Sequence, residues 1–449
     1  MVLSTSTILQ QLVPLVGAEQ VLPWAEVALL STDQAQQIFG ENTLPSYIVF
    51  PRTQAELAAV IAEAHQQHWR LLICGQASKL HWGGLTQQID LVVCTQSLNR
   101  VVAHATGDLT VTVEAGLSLA ALQTELAQFR QFVALDPAYP ETATLGGLIA
   151  TRDSGSLRHR YGSLRDMCIG ITVIRADGQA AKAGGRVVKN VAGYDLMKLM
   201  TGAFGTLGVI SEVTLRLYPL SEASTTVVMG GTEAQITEVT RTLLKSTLTP
   251  TAVDLLSAST LPAGTIDGEL GLAVRFQSVE ESVVAQCDRM LKLAQGLSSL
   301  TLTADRDTEF WQQLTHQFWQ PPQSTALVCK LGVLPAQASR LLAQFEQYCQ
   351  SQKIACWSRI HAGSGTGVLR LEHQGIGKDP SPAVEWIGAL RSHCQNAQGF
   401  LTVLDAPPAL KRSLDIWGYS GNTLASMKQL KQQFDPHTIL NPDRFVGGI

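Results

Sequence analysis

A chain of 449 residues is too long for one ordinary domain and suits two or three. With 45% hydrophobic and 16% charged residues it can bury a large core and leaves no room for a long disordered part. Its 33 basic and 37 acidic residues give a net charge of -4, which favours neither nucleic acid nor an anionic membrane surface as a partner.

Residues 1–45 read as a helical lead-in. Met1-Val2-Leu3-Ser4 has no basic n-region and no long apolar run behind it, so no signal peptide is expected. No stretch approaches the ~18 uninterrupted apolar residues of a membrane span. The expected location is the cytoplasm, with membrane docking only through partners. After Pro51, Thr53 and Glu56 have the spacing of a capping box. Leu57, Val60, Ile61 and Ala64 follow at helical spacing, then a strand, Leu71-Leu72-Ile73-Cys74. The small-residue loop Gly75-Gln76-Ala77-Ser78 runs on to Gly83-Gly84 and a second strand, Leu91-Val92-Val93. Such a loop can aim backbone N–H groups at a diphosphate, with Ser78 adding a hydroxyl and Lys79 a charge, although many ordinary strand–helix turns look similar.

Val101 to Ala115 predicts a hairpin turning at Gly107-Asp108, and Ser118 can cap a helix bearing Leu119, Leu122, Leu126 and Phe129. Residues 143–219 hold twelve of the 37 glycines. Thr144-Leu145-Gly146-Gly147, Ser154-Gly155 and Tyr161-Gly162 suggest either repeated backbone approaches to one extended ligand or a set of tight turns. Gly202 to Gly208 reads G-x-x-G-x-x-G and precedes a strand, Val209 to Leu217, which excludes the dinucleotide fingerprint that opens a helix. Beyond residue 220, strand-like runs (Thr225 to Met229, Leu270 to Phe276) alternate with helical ones (Glu233 to Leu244, Glu280 to Leu293, Ala336 to Cys349), as in a sheet covered by helices. The eight cysteines contain no C-x-x-C pair, so buried thiols are expected rather than zinc or iron–sulfur ligands.

Together, Pro51 to Gly84, Gly107 to Leu126, Ala143 to Gly147 and Gly205-Thr206-Leu207-Gly208-Val209-Ile210 resemble the FAD-binding fold of the vanillyl-alcohol oxidase (PCMH) type. The run Gly184-Gly185-Arg186-Val187-Val188-Lys189-Asn190-Val191-Ala192-Gly193-Tyr194-Asp195-Leu196 resembles the E subunits (GlcE) of bacterial glycolate dehydrogenases. So does the tail, Phe434-Asp435-Pro436 with Leu440-Asn441-Pro442. The resemblance implies an α+β chain: a two-part FAD-binding domain over 46–220, an α+β cap or substrate domain over 221–425 covering the isoalloxazine, and a tail, 426–449, returning to the FAD domain. It implies that Gly75, Gln76, Ala77, Ser78, Lys79 and Leu80 cradle the diphosphate. Thr144, Gly147, Ser154, Gly155, Tyr161 and Gly162 would line the cofactor, and Val209 and Ile210 would bind it through the main chain. Lys189 and Tyr194 belong to the shared motif and can equally be structural. His81 lacks the Gly-Gly-His setting of covalent relatives, so FAD is expected to be noncovalent.

Related D subunits and D-lactate dehydrogenases carry a His-x-Gly-Asp-Gly-x-x-His metal motif. Here Ser364 and Val368 replace its Asp and second His after His361, so no metal is expected. Glu372-His373 imitates a second motif of those relatives but follows His361 too closely. Oxidation of a 2-hydroxy acid needs a base and a carboxylate clamp. His361 can be the base and Arg359 or Arg370 the clamp; the plainer reading is a half-buried His and two surface arginines. The implied function is FAD-dependent oxidation of a small 2-hydroxy acid, glycolate first, within a complex containing flavoprotein and iron–sulfur partner subunits. A self-sufficient D-lactate dehydrogenase and a non-catalytic FAD scaffold are the alternatives.

Overall fold

The apolar stripe of Gln54–Gln67 sets the first layer of the fold. Thr53 caps this helix, its Oγ1 accepting from the Glu56 N–H at 3.1 Å. The Glu56 carboxylate instead takes the Arg52 N–H at 2.7 Å, so the expected reciprocal box is only half made. Leu57, Val60, Ile61 and Ala64 are buried, the three larger side chains contributing roughly 1.5–3 kcal/mol each. The computed structural model describes residues 5–40, 44–186, 195–261, 266–321, 323 and 325–449, so Lys189 and Tyr194 lie outside it. It divides into two compact units, one comprising Met1–Ser154, Ser163–Leu220 and Ser420–Ile449, the other Gly155–Gly162 and Ser221–Tyr419.

In the first unit, the strands Tyr47–Val49 and Leu71–Cys74 both pair in parallel with Leu91–Cys94, and Val21–Pro23 adds an antiparallel edge. A five-stranded antiparallel sheet follows, ordered Val101–Ala105, Thr110–Glu114, Val209–Arg216, Cys168–Ile174 and Ala180–Gly184. The hairpin expected at Gly107-Asp108 is present, and Ser118 caps Leu119–Ala127. Thr144, read as a ligand loop, is the N-cap of a short helix, Leu145–Thr151. The C-terminal segment lies along the first sheet: Leu440 bridges Leu71, and the Asn441 Oδ1 accepts from the Ile73 N–H at 2.7 Å.

The second unit is built on an eight-stranded antiparallel sheet. Strand alternation separates its two faces. Val253, Leu255, Leu272, Val274, Leu369 and Leu371 enter one apolar core with the helices Glu233–Lys245, Glu280–Leu293, Ala338–Ser351 and Pro380–Asn396. The intervening positions mix a second apolar cluster, with Val228, Leu256 and Val368, and the polar groups Thr226, Asp254, Arg275, Arg359, His361 and Arg370. Part of that face is covered by Ala304–Phe318, whose Asp307 pairs with Arg275 at 2.6 Å and whose Trp311 indole donates to Thr226 at 2.8 Å.

Candidate flavin groove and active site

In the first unit, the loop 75–80 leaves the carboxyl end of Leu71–Cys74 and borders a groove that opens to solvent. Gly75 is required by close approach, since a Cβ there would overlap the Thr144 side chain. Ala77 takes a left-handed φ of 59°, which turns the loop sharply. Six loop residues, Gly75 to Leu80, line the groove, as do Thr144, Gly147, Val209 and Ile210. Ser154, Gly155, Tyr161 and Gly162 are not among its lining residues. Ser154 instead accepts the Leu164 N–H at 3.3 Å, and Gly155, Tyr161 and Gly162 belong to the second unit. Phe204, Asn441 and Arg444 also line the groove; the sequence placed Phe204 in a glycine-rich run and Asn441 in the family-like tail but assigned none of the three to the cofactor.

Lys79 is buried in this groove with its Nζ 3.3 Å from Asp153 Oδ2, an ion pair outside good hydrogen-bond alignment. Burial lowers its pKa, and Asp153 partly opposes that. His81 is also buried, its Nε2 3.1 Å from the Tyr139 hydroxyl.

The second unit collects a different set of groups around Asp254, which is fully buried. His361 Nδ1 lies 2.7 Å from Asp254 Oδ1, and Ser156 donates its hydroxyl to Oδ2 at 2.5 Å. Burial works to raise the Asp254 pKa, but His361, Arg359 and the Ser156 hydroxyl outweigh it and hold the carboxyl below its ordinary value. An ionised Asp254 requires a proton on His361 Nδ1, which leaves Nε2 as the accepting nitrogen of the neutral ring. His159 sits in the same group; burial lowers its pKa, with Asp254 opposing and His361 and Arg160 adding to the effect.

Arg359 is 4% exposed, so it is no surface residue. Its Nη1 is 3.8 Å from Asp254, its guanidinium lies over the Phe318 ring, and its Nε has no hydrogen-bond partner among the described residues. Arg370 is equally buried but differently engaged, holding Glu372 at 2.7 Å and lining a separate groove with Trp357 and three glutamines. Glu372 is thereby committed to Arg370, and His373 Nδ1 accepts the Gly375 N–H. Thus the structure joins His361 to Arg359 and separates both from the contacts of Arg370. Asp254, Ser156 and His159 escaped the sequence reading: a single Asp in an apolar strand and residues inside a glycine-rich stretch carry no local signal.

Residues 45–184 match the family model of the FAD binding domain, and residues 417–445 match the C-terminal domain of FAD linked oxidases. The chain has the PCMH-type FAD-binding fold. The chain is an FAD-dependent oxidoreductase. Along most of its length it is similar to the mitochondrial D-lactate dehydrogenase [cytochrome] of Arabidopsis thaliana, 25% identical over 90% of this chain and 74% of that one. It is 36% identical to the glycolate oxidase subunit GlcE of Escherichia coli over 34% of this chain and 44% of that one. It shares its fold with p-cresol methylhydroxylase, at a TM-score of 0.74 and 13% identity, covering 98% of this chain and 96% of that one. The groove of the FAD domain fits the cofactor: a backbone loop without side-chain bulk at Gly75, and two buried cations, Lys79 and Arg444, on its lining.

Proposed function

We propose that the protein oxidises a small 2-hydroxy acid, with Arg359 binding the carboxylate and His361 taking the hydroxyl proton. The observation that carries this reading is the buried Asp254–His361 pair beside a guanidinium that lacks a full set of partners. Bound FAD supplies a two-electron acceptor for the hydride from the hydroxyl-bearing carbon. The residues of the chain do the rest. Arg359 presents N–H donors to the carboxylate, a charge-assisted contact that orients the substrate. His361 Nε2 removes the proton, and Asp254 holds the ring in the required tautomer and balances the imidazolium that forms. The Ser156 hydroxyl keeps Asp254 in place.

Glycolate is the first substrate in this proposal, supported by the likeness to a glycolate oxidase subunit. D-lactate is the second, favoured by the likeness to D-lactate dehydrogenases over most of the chain. Since no cysteines are spaced for an iron–sulfur cluster, electrons leave FAD for a separate carrier, in our proposal an iron–sulfur subunit of a complex that includes a second flavoprotein. Cytoplasmic residence is part of the same proposal; the described residues include no helix long and apolar enough to cross a membrane. The Gly75 to Leu80 loop, Thr144, Gly147, Val209 and Ile210 hold FAD noncovalently, with His81 committed to Tyr139.

Anaerobic mixing of the purified flavoprotein with glycolate, D-lactate and L-lactate is the test. Rapid bleaching of the flavin by glycolate or D-lactate supports the proposal. An oxidised flavin after all three acids, in a preparation with full FAD occupancy, refutes it for the lone chain and revives a scaffold role. Flavin released to the supernatant by acid precipitation establishes noncovalent binding, and flavin in the pellet refutes it.

A further inference from the structure

Arg444 is a buried cation whose side chain lacks a carboxylate partner among the described residues. It is 3% exposed and lines the flavin groove. Its Nη1 donates to the Gly84 carbonyl and its Nη2 to those of Leu80 and Trp82. Three carbonyls leave two of the five guanidinium N–H groups uncommitted. Lys79, the other buried cation on the groove, already has Asp153 beside it. Burial lowers the Arg444 pKa to about 10, with no anion offsetting the effect. A buried charge is costly unless an opposite charge joins it.

The backbone around Arg444 is fixed to the same loop. The Gly84 N–H donates to the Arg444 carbonyl at 3.3 Å, and a Cβ on Gly84 would overlap the Asp443 carbonyl. The Thr86 hydroxyl donates to the Pro442 carbonyl at 3.2 Å, and Arg70 pairs with Asp443 at 2.8 Å. The cation is therefore held at the groove by backbone on both sides, with its own carbonyl contacts made to the loop that borders the flavin.

We propose that Arg444 is the counter-cation of the FAD diphosphate, so that FAD binding and the attachment of residues 440–445 to the loop 75–84 stabilise each other. The inference rests on this groove being the FAD site. It is tested by titrating the deflavinated protein with FAD, following flavin fluorescence, for wild type, Arg444→Gln and Arg444→Lys at several salt concentrations. Gln can still donate to carbonyls but lacks the charge. The expected result is an FAD dissociation constant raised at least about 30-fold in Arg444→Gln with a weaker salt dependence, and restored to within about fivefold in Arg444→Lys. Equal affinities for wild type and Arg444→Gln overturn the proposal. Should Arg444→Gln fail to fold, hydrogen exchange of the wild-type protein decides: ADP, but not adenosine, should slow exchange at 440–445. No protection by ADP, or equal protection by adenosine, overturns it. Failure of wild type itself to take up FAD would instead sink the groove assignment.

Discussion

Asp254→Asn isolates the charge of the buried carboxylate with almost no change of volume. The Asn amide oxygen can still accept from His361 Nδ1, while its NH2 takes the place of the second oxygen and donates to a reoriented Ser156 hydroxyl, so the packing around this fully buried position is kept. What is lost is the negative charge facing a ring that becomes cationic when it takes the substrate proton. Opposite charges ~4 Å apart at an effective dielectric constant of about 20 attract by roughly 4 kcal/mol, and the retained hydrogen bonds leave ~2–4 kcal/mol to be lost. That corresponds to flavin reduction slowed roughly 30- to 1000-fold. The assay is anaerobic stopped-flow of the flavin absorbance across substrate concentrations, with bound FAD and thermal unfolding measured on the same sample. The limiting rate should fall while half-saturation changes little. A variant that binds FAD, folds as wild type does and reduces its flavin at the wild-type limiting rate would refute the role assigned to the Asp254–His361 pair.

Arg359→Lys should show the opposite pattern, with half-saturation by the 2-hydroxy acid raised about 100-fold, because a point charge cannot reproduce the planar fork; unchanged half-saturation in the same stopped-flow series excludes it as the clamp. Asp405 is a buried carboxyl whose pKa burial raises to about 6, against the opposing pull of Lys411 and Arg370. A raised pKa contributes stability that is present below the ordinary carboxylate value and lost as pH rises from there through about 6, a change of about 3 kcal/mol in all, of which roughly half falls above pH 5. Urea midpoints at pH 5 and pH 8 should therefore differ more in wild type than in Asp405→Asn, and an equal difference would contradict this. Asp254 acts in the other direction: its depressed pKa contributes stability above the ordinary Asp value that is lost only as pH falls through the lower folded value. Acid unfolding of Asp254→Asn should accordingly lack a component seen in wild type below about pH 4. Gly75→Ala should cost about 1–3 kcal/mol and weaken FAD binding, since the new methyl displaces the loop from Thr144; a flavin titration matching wild type would show that the loop can yield.

The flavin half of the molecule was legible because its signals are local. A capped helix, a strand and a small-residue loop stand in consecutive order from Thr53 to Ser78, and that order marks the loop that lines the groove. Glycines were a less secure guide. Thr144 to Gly147 opens a helix that borders the groove, whereas Gly155 and Gly162, in the same glycine-rich stretch, belong to the other unit. The second unit was legible as strands and helices by their periodicities, but its chemistry was not. Asp254, Arg359 and His361 share a face only through the pairing of Asp254 with His361 and the two-residue step from His361 back to Arg359. That pairing joins residues 107 positions apart in the chain. Arg370, on the same face by the same alternation, reads identically in sequence, and only its engagement with Glu372 distinguishes it. Arg444 is similarly silent: its contacts with the loop span 360 or more positions.

The path of the chain has a consequence for how the protein is made. Residues 440–444 complete the first unit, contributing a strand-like bridge to Leu71 and the guanidinium that binds the carbonyls of Leu80, Trp82 and Gly84. Everything from Ser221 to Tyr419 is translated before them. At a ribosomal pace of ~5–20 residues per second, the N-terminal half therefore waits roughly ten seconds or more for its last pieces, with the loop at 75–84 unsupported meanwhile. The second unit can condense during that interval, since all of its residues precede residue 420. The usual order, in which the N-terminal domain finishes first, is inverted here, and a nascent chain stalled before residue 440 is expected to be protease-sensitive at the flavin loop while already resistant between 221 and 419.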